Sequence, residues 1–227
     1  HLAAPFVDLS IGQHNYQRLL TAGSTLLDNG FDLLAGIELA GNDGPWDQPE
    51  KLKKRNAAFR LSSGTAADGF ALTAMLYKAD WTASEHVPER AIRSGEIGRY
   101  GTLVPNDGGQ THRYSLSGEW ARTGEADATR ASVYVVDYGL NLFSAPSGYI
   151  GGLQGDQHEQ ADERLLWGGE ARQSWFLGPA WKDSEVSVGA QPRQDRIGKV
   201  GLYTTENRQR TATVREDRIT ETAYALF

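Results

Sequence analysis

The sequence predicts an all-β fold: an antiparallel up-and-down transmembrane β-barrel, incomplete, with about ten strands of a larger barrel. Three observations predict it. Apolar and polar residues alternate with period two along many segments, as in strands with two different faces. Several segments run close to the ~9–11 residues that a tilted strand needs to cross a membrane. Short and long connections alternate along the chain, as in outer-membrane barrels.

The first third of the chain contains four predicted strands, at residues 16–26, 31–39, 56–63 and 69–79. The second alternates clearly, because five apolar residues fall on one face, opposite Asp32, Leu34, Gly36 and Glu38. The five apolar residues are Phe31, Leu33, Ala35, Ile37 and Leu39.

The middle of the chain gives the strongest strand patterns, at residues 113–122 and 133–144. In the second, aromatic and aliphatic residues share a face that we expect to contact lipid: Tyr134, Val136, Tyr138, Leu140 and Leu142. Four weaker strands complete the ten: residues 164–176, 185–191, 199–205 and 212–227.

The connections between these strands differ in length in a regular way. Asp28-Asn29-Gly30 is typical of a tight hairpin turn, and residues 65–68 and 123–127 are also short. Residues 42–55, 80–110 and 145–163 are long and polar, and we expect them to form an outer vestibule. Aromatic residues near the strand ends predict a membrane-interface girdle: Trp46, Tyr77, Trp81, Trp120, Tyr149 and Trp167.

Composition excludes several other classes of protein. The 23 basic and 29 acidic residues give a net charge of −6. Without a basic block we expect no nucleic-acid partner, because phosphate contacts need clustered Lys and Arg. The chain has no Cys, which excludes disulfides and thiolate metal sites. No apolar run approaches the ~20 residues of a membrane-spanning helix.

Five motifs follow one another over most of the chain, and their order and spacing resemble the TonB-dependent receptors of Gram-negative outer membranes. They are Asn42-Asp43-Gly44-Pro45-Trp46; Trp81 followed by Val87-Pro88-Glu89-Arg90-Ala91; Asp107-Gly108-Gly109 before Arg113-Tyr114-Ser115-Leu116-Ser117; Leu142-Phe143-Ser144; and Gly155-Asp156-Gln157-His158-Glu159-Gln160.

The resemblance implies an active transporter that imports a large, scarce nutrient across the outer membrane. Its partners would be TonB, which acts through a plug domain, the lipid of the outer membrane, and a small-molecule cargo such as a metal chelate. Such transporters have about 22 strands, so residues 1–227 would form a single barrel segment without the plug. The resemblance implies that the plug lies upstream of His1.

The polar strand faces provide the candidate functional residues. We expect them to line the barrel lumen and contact the plug or the cargo. They are Arg60, Arg113, Glu119, Asp137 and Asn141. A basic cluster in the first long connection is a second candidate, for anionic cargo or lipopolysaccharide phosphates. It comprises Lys51, Lys53, Lys54 and Arg55.

We expect no enzymatic activity, no cofactor and no metal. The chain contains no nucleophile motif of the form Gly-x-Ser-x-Gly and no pair of His residues at helical metal spacing. An acidic segment has ligands suited to a divalent ion, but a solvated acidic loop is the commoner meaning of this pattern. The segment contains Asp156, His158, Glu159, Asp162 and Glu163.

Two other functions remain open from the sequence. A passive, porin-like small barrel would form if ten strands closed on themselves, which requires the chain near His14 to pair with the chain near Tyr224. A soluble all-β carbohydrate-binding domain would instead bury the tyrosine-rich face of residues 133–144 under a second sheet.

Overall fold

The computed structural model describes residues 2–146 and 156–227, and in these residues every strand belongs to one ten-stranded antiparallel sheet. Neighbouring strands in the chain are neighbours in the sheet, so the topology is up-and-down. The strands are β1 Phe6–Ile11, β2 Gln17–Leu26, β3 Asp32–Asn42, β4 Leu52–Gly64, β5 Gly69–Thr82, β6 Gly108–Thr123, β7 Asp127–Ser144, β8 His158–Phe176, β9 Glu185–Glu206 and β10 Gln209–Leu226.

The predicted all-β, antiparallel, up-and-down architecture is confirmed, but the ten strands differ in two places from those predicted. The sequence analysis missed β1, which is only 6 residues long. It also divided β9 in two, because polar residues occupy its centre and obscure the apolar alternation. The register between β8 and β9 shifts at Gly198, close to that apparent break.

The sheet is not closed. Among the described residues, β1 pairs only with β2 and β10 only with β9. The closed small barrel would need these two edge strands to pair, so the ten strands do not form it in this structure. Both edges instead present backbone N–H and C=O groups that are free to pair with another strand.

The connections are sorted between the two ends of the sheet. One end, here called the turn end, has connections at residues 27–31, 65–68, 124–126 and 177–184. The opposite loop end has the longest connections, 43–51, 83–107 and 145–157, together with 12–16. The predicted sorting is thus confirmed for most of the sheet.

One connection at the loop end departs from this sorting. β9 and β10 are joined by only two residues, Asn207 and Arg208, with φ of 51° and 64°. Two consecutive residues with positive φ form the type of turn whose twist matches a β-hairpin. This hairpin therefore extends the sheet itself into the loop end.

A short helix, α1 (Glu89–Ser94), lies within the longest connection. Gly95 ends it with φ of 77°, a left-handed conformation that glycine adopts without strain. Glu89 and Arg93 form an ion pair of 2.7 Å one turn apart, and Ala91 is buried. No helix in the described part of the chain is long and apolar enough to cross a membrane.

The strands lengthen along the chain. β2 and β3 have 10 and 11 residues, β6 has 16, and β9 has 22. Soluble strands are usually about 5–6 residues long. The predicted connection 42–55 is correspondingly shorter in the structure, because β4 begins at Leu52. Three members of the basic cluster, Lys53, Lys54 and Arg55, therefore lie in a strand and not in a loop.

Candidate functional site

The two faces of the sheet follow from its register. Directly opposed residues of antiparallel neighbours project to the same face. Leu116 of β6 is opposed by Ala74 on one side and Val135 on the other, and the same row continues outward to Phe59 and Trp167. We call the face that carries this row the apolar face and the opposite one the mixed face.

The apolar face carries a continuous belt of large hydrophobic side chains from β3 to β8. Their exposed fractions lie between 37% and 65%. Monomeric soluble proteins rarely expose an apolar patch larger than a few hundred Å², and larger patches mark surfaces that contact protein, membrane or ligand. The apolar belt consists of Ile37, Leu39, Phe59, Phe70, Leu72, Leu76, Tyr114, Leu116, Trp120, Val133, Val135, Leu165 and Trp167.

Charged residues border the apolar belt at the loop end. On β5 the belt stops at Leu76, and the next residue on that face is Lys78. On β6 it stops at Tyr114, and His112 follows. At the turn end Trp120 and Phe70 are register partners, and Phe70 packs edge-to-face on Phe31 at 5.9 Å between ring centres.

The mixed face carries ion pairs between Arg or Lys and carboxylates. Small and aromatic side chains lie among these pairs. Arg18 binds Glu38 at 2.6 Å, and Lys54 lies 3.3 Å from the same carboxylate. Arg193 binds Asp195 at 2.7 Å, and Arg164 pairs with Asp162. Each of these four cations lies within 4 Å of a carboxylate, so these pairs make the face polar while much of their charge is offset.

The five predicted lumen residues do not share one face, and this corrects the sequence interpretation. Arg113 is opposed by Tyr138, whereas Asp137 is opposed by Tyr114. The register therefore places Asp137 and Asn141 on the apolar face. Arg60, Arg113 and Glu119 share the mixed face. The tyrosine-rich side of β7, which was expected to contact lipid, is also on the mixed face.

Arg60 and Glu119 border a cavity of about 420 Å³ near the turn end. Arg60 Nη2 lies 3.6 Å from Glu119 Oε2, and its Nη1 donates a hydrogen bond of 3.0 Å to Thr73. Arg130 and Glu170 also line the cavity. Two cations and two carboxylates thus face one space, which suits a polar ligand or a polar segment of protein.

Asp137 and Asn141 lie beyond the apolar belt, toward the loop end. Asp137 Oδ2 is 3.6 Å from His112 Nε2. Asn141 donates a hydrogen bond of 2.6 Å to Glu159, which Arg210 holds through two contacts of 2.5 and 2.9 Å. Glu159 is 4% exposed, so Asn141 and Arg210 are held by a buried carboxylate, whereas the Asp137 side chain is 55% exposed.

A buried polar cluster joins three connections at the loop end. Asp107 accepts hydrogen bonds from the backbone N–H of Ala145 at 3.0 Å and from Gln157 at 2.7 Å. Arg208 donates to the carbonyl oxygen of Asp107 at 2.9 Å, and its backbone N–H donates to Gln157 at 2.9 Å. Thr205 donates to the same Gln157 oxygen at 3.0 Å. We call these five residues the loop-end cluster.

Burial changes the acidity of two members of the loop-end cluster. Loss of solvent raises the pKa of Asp107 to about 6, although the hydrogen bonds from Gln157 and Ala145 oppose the shift. Burial also lowers the pKa of the Arg208 guanidinium, which Asp107 partly offsets. Nothing in the sequence indicated this cluster, because its members come from three separate segments of the chain, at residues 107, 145–157 and 205–208.

The acidic segment does not assemble a metal site. Alternation along β8 sends His158 and Asp162 to one face and Glu159 and Glu163 to the other. Glu163 binds Lys199 at 2.6 Å. Within 2–146 and 156–227, no three His, Asp or Glu side chains lie where they could hold a metal ion.

Only some of the residues predicted to form an aromatic girdle lie on the apolar face. Trp120 lies on the apolar face at the turn end, whereas Tyr77 and Trp81 project from the mixed face. Trp46 lies in a connection, where it donates a hydrogen bond of 2.7 Å to Glu50. Tyr149, and Gly155 of the fifth motif, lie outside the described residues. Trp175, at the turn end of β8, was not predicted and shares the apolar face.

No family model matches the chain, and neither a curated protein nor a solved structure is significantly similar to it.

Proposed function

We propose that the chain forms part of the wall of a TonB-dependent receptor in the outer membrane of a Gram-negative bacterium. The whole protein would actively import a large, scarce nutrient, such as a siderophore-bound metal ion. The observation that carries this proposal is the apolar belt. It crosses one face of an up-and-down sheet from β3 to β8, and the long connections of that sheet collect mostly at one end.

The dimensions of the belt support a position in lipid. On β6 it runs from Tyr114 to Trp120, and on β3 apolar residues occupy every position of this face from Leu33 to Leu39. Each run covers seven residues, and Phe31, which packs on Phe70 of the same face, extends the run at β3 to nine residues, within the ~9–11 that span the hydrocarbon core. The charged residues at the loop end then lie at the lipid headgroups or beyond them.

The mixed face suits the inside of a plugged barrel. Arg60, Arg113 and Glu119 would face the lumen, and the cavity beside Arg60 would receive a polar part of the plug. The unpaired edges of β1 and β10 would bind the remaining strands of the barrel wall. TonB would act through the plug. The five sequence motifs described above are the basis for naming TonB as a partner.

Cysteine labelling tests the face assignment. The 227 residues contain no Cys, so single cysteines can be introduced at Leu116 and Ser117, adjacent positions on opposite faces of β6. In the full-length protein in vesicles, a membrane-impermeant maleimide should label Ser117→Cys and leave Leu116→Cys unlabelled. Equal labelling of both variants by the reagent would contradict the proposed orientation.

Uptake in cells tests the transport class. Cells expressing the full-length protein should accumulate one of a panel of ferric siderophores, haem or cobalamin only when TonB is present. Uptake that persists without TonB would indicate a passive porin. A protein that remains in the aqueous fraction without detergent would instead support the soluble carbohydrate-binding alternative.

A further inference from the structure

A group of cations borders the apolar belt on β4 and β5. Lys53 and Arg55 project from the apolar face of β4, and Lys78 is the direct register partner of Arg55. Lys54, between the first two, projects to the mixed face and is neutralised by Glu38. We call Lys53, Arg55 and Lys78 the cationic patch. All three side chains are exposed.

The cationic patch has an excess of positive charge in the described structure. No ion pair within 4 Å joins any of its three members to a carboxylate in residues 2–146 and 156–227. Asp80, which opposes Lys53, offsets one of the three charges. Like charges directly opposite each other destabilise a strand pair, so Arg55 and Lys78 would be stabilised by an anion between them.

The position of the cationic patch indicates what kind of anion it binds. The next row on the same face consists of Ala57, Leu76 and Tyr114, the edge of the apolar belt. A ligand here would meet cations at one end and a hydrocarbon surface at the other. A phosphorylated lipid has this chemistry, whereas a free anion makes no use of the belt.

We infer that Lys53, Arg55 and Lys78 bind the phosphate groups of an outer-membrane glycolipid, whose acyl chains lie along the apolar belt. This inference rests on the proposed function, because it requires the belt to lie in the outer membrane. It assigns the loop end to the outer leaflet. Arg provides two donors in a fixed geometry for phosphate, and Lys adds a mobile point charge.

Native mass spectrometry of the full-length protein tests this inference, with diphosphoryl lipid A as the probe. The double variant Arg55→Gln/Lys78→Gln should bind lipid A about thirtyfold more weakly, as expected from the loss of two cations beside an anionic headgroup. The matched control, Lys54→Gln/Lys182→Gln, removes the same charge from the mixed face and from the turn end and should bind like the wild type.

The outcomes distinguish binding of a glycolipid by the cationic patch from binding of a free anion and from failure of the proposed function. Equal binding by all three proteins would overturn the inference, and so would displacement of lipid A by millimolar inorganic phosphate, since the site would then accept a free anion. If both double variants insert into membranes like the wild type, the proposed function survives either result. If the wild type itself does not enter membranes, the proposed function is wrong, and the inference that rests on it is wrong as well.

Discussion

Single residues on β7 explain why the register was needed to assign the faces. Val133 and Val135 project to one side and Tyr134 and Val136 to the other, so both faces are apolar at this point. Alternation within the strand therefore could not determine which face contacts lipid. Pairing with β6 decides it, because Leu116 opposes Val135 and Ser117 opposes Tyr134.

Asp107 predicts how stability depends on pH. Its pKa is raised from 3.8 to about 6 by burial, so the folded state binds a proton more tightly than the unfolded state. The stabilisation is fully present below pH 3.8 and is lost as the pH rises through 6. We expect the protein to be more resistant to urea at pH 5 than at pH 7, by roughly 1–2 kcal/mol.

The variant Asp107→Asn should remove this pH dependence, whatever its effect on stability at one pH. Asp183→Asn, in an exposed turn between β8 and β9, is the matched control and should keep the wild-type difference. If Asp107→Asn retained the full difference between pH 5 and pH 7, another group would be responsible for it.

At the scale of the strand, close packing between neighbours explains one glycine of β8. A Cβ atom at Gly168 would lie 2.7 Å from the hydroxyl oxygen of Tyr134 and 2.9 Å from the carbonyl oxygen of Pro192. The tyrosine ring lies over the glycine, and the backbone of β9 cannot move away cheaply. A side chain at this position would separate three adjacent strands.

Gly168→Ala should accordingly lower the free energy of unfolding by about 1–3 kcal/mol through overpacking. Gly198→Ala is the control, because its nearest contact would be the carbonyl oxygen of Glu163 at an ordinary 3.7 Å. The measurement is urea unfolding of the refolded full-length protein. Similar values for the two variants would argue against the packing of Tyr134 on Gly168.

Elements with strong local patterns were predicted well, and elements that depend on distant residues were not. The alternation in β3, β6 and β7 is visible within each segment, so these strands were found from the sequence. β1 also alternates, with Val7, Leu9 and Ile11 opposite Asp8 and Ser10, but at six residues it is shorter than the segments recognised as strands. The loop-end cluster depends on contacts between distant connections, which only the folded chain brings together.

At the scale of the whole molecule, the two open edges determine how the sheet must behave. β10 is 18 residues long, and almost all of it is exposed. Unpaired strand edges bind other strands or aggregate. In lipid, unsatisfied backbone groups cost several kcal/mol each, so a sheet placed in the membrane as proposed would require partners on both sides.

Hydrogen exchange should detect those partners. In residues 1–227 alone, refolded in detergent, the amides of β10 that do not bond to β9 should exchange rapidly. In the full-length protein the same amides should be protected by a neighbouring strand. The amides of β7, in the middle of the sheet, serve as the control and should be protected in both. Slow exchange of β10 in the isolated, monomeric chain would mean that its edges pair with each other.

If the sheet lies in the outer membrane as proposed, the length of β9 has a consequence for whatever approaches the protein from outside the cell. At ~3.3 Å per residue, its 22 residues extend about 70 Å. Even at a 45° tilt this strand rises about 50 Å, well above a hydrocarbon layer of ~30 Å. The hairpin of β9 and β10 would therefore project beyond the lipid and block access to the entrance from one side. A solute, phage or antibody would reach the opening more readily from the lower side, where β2 and β3 end.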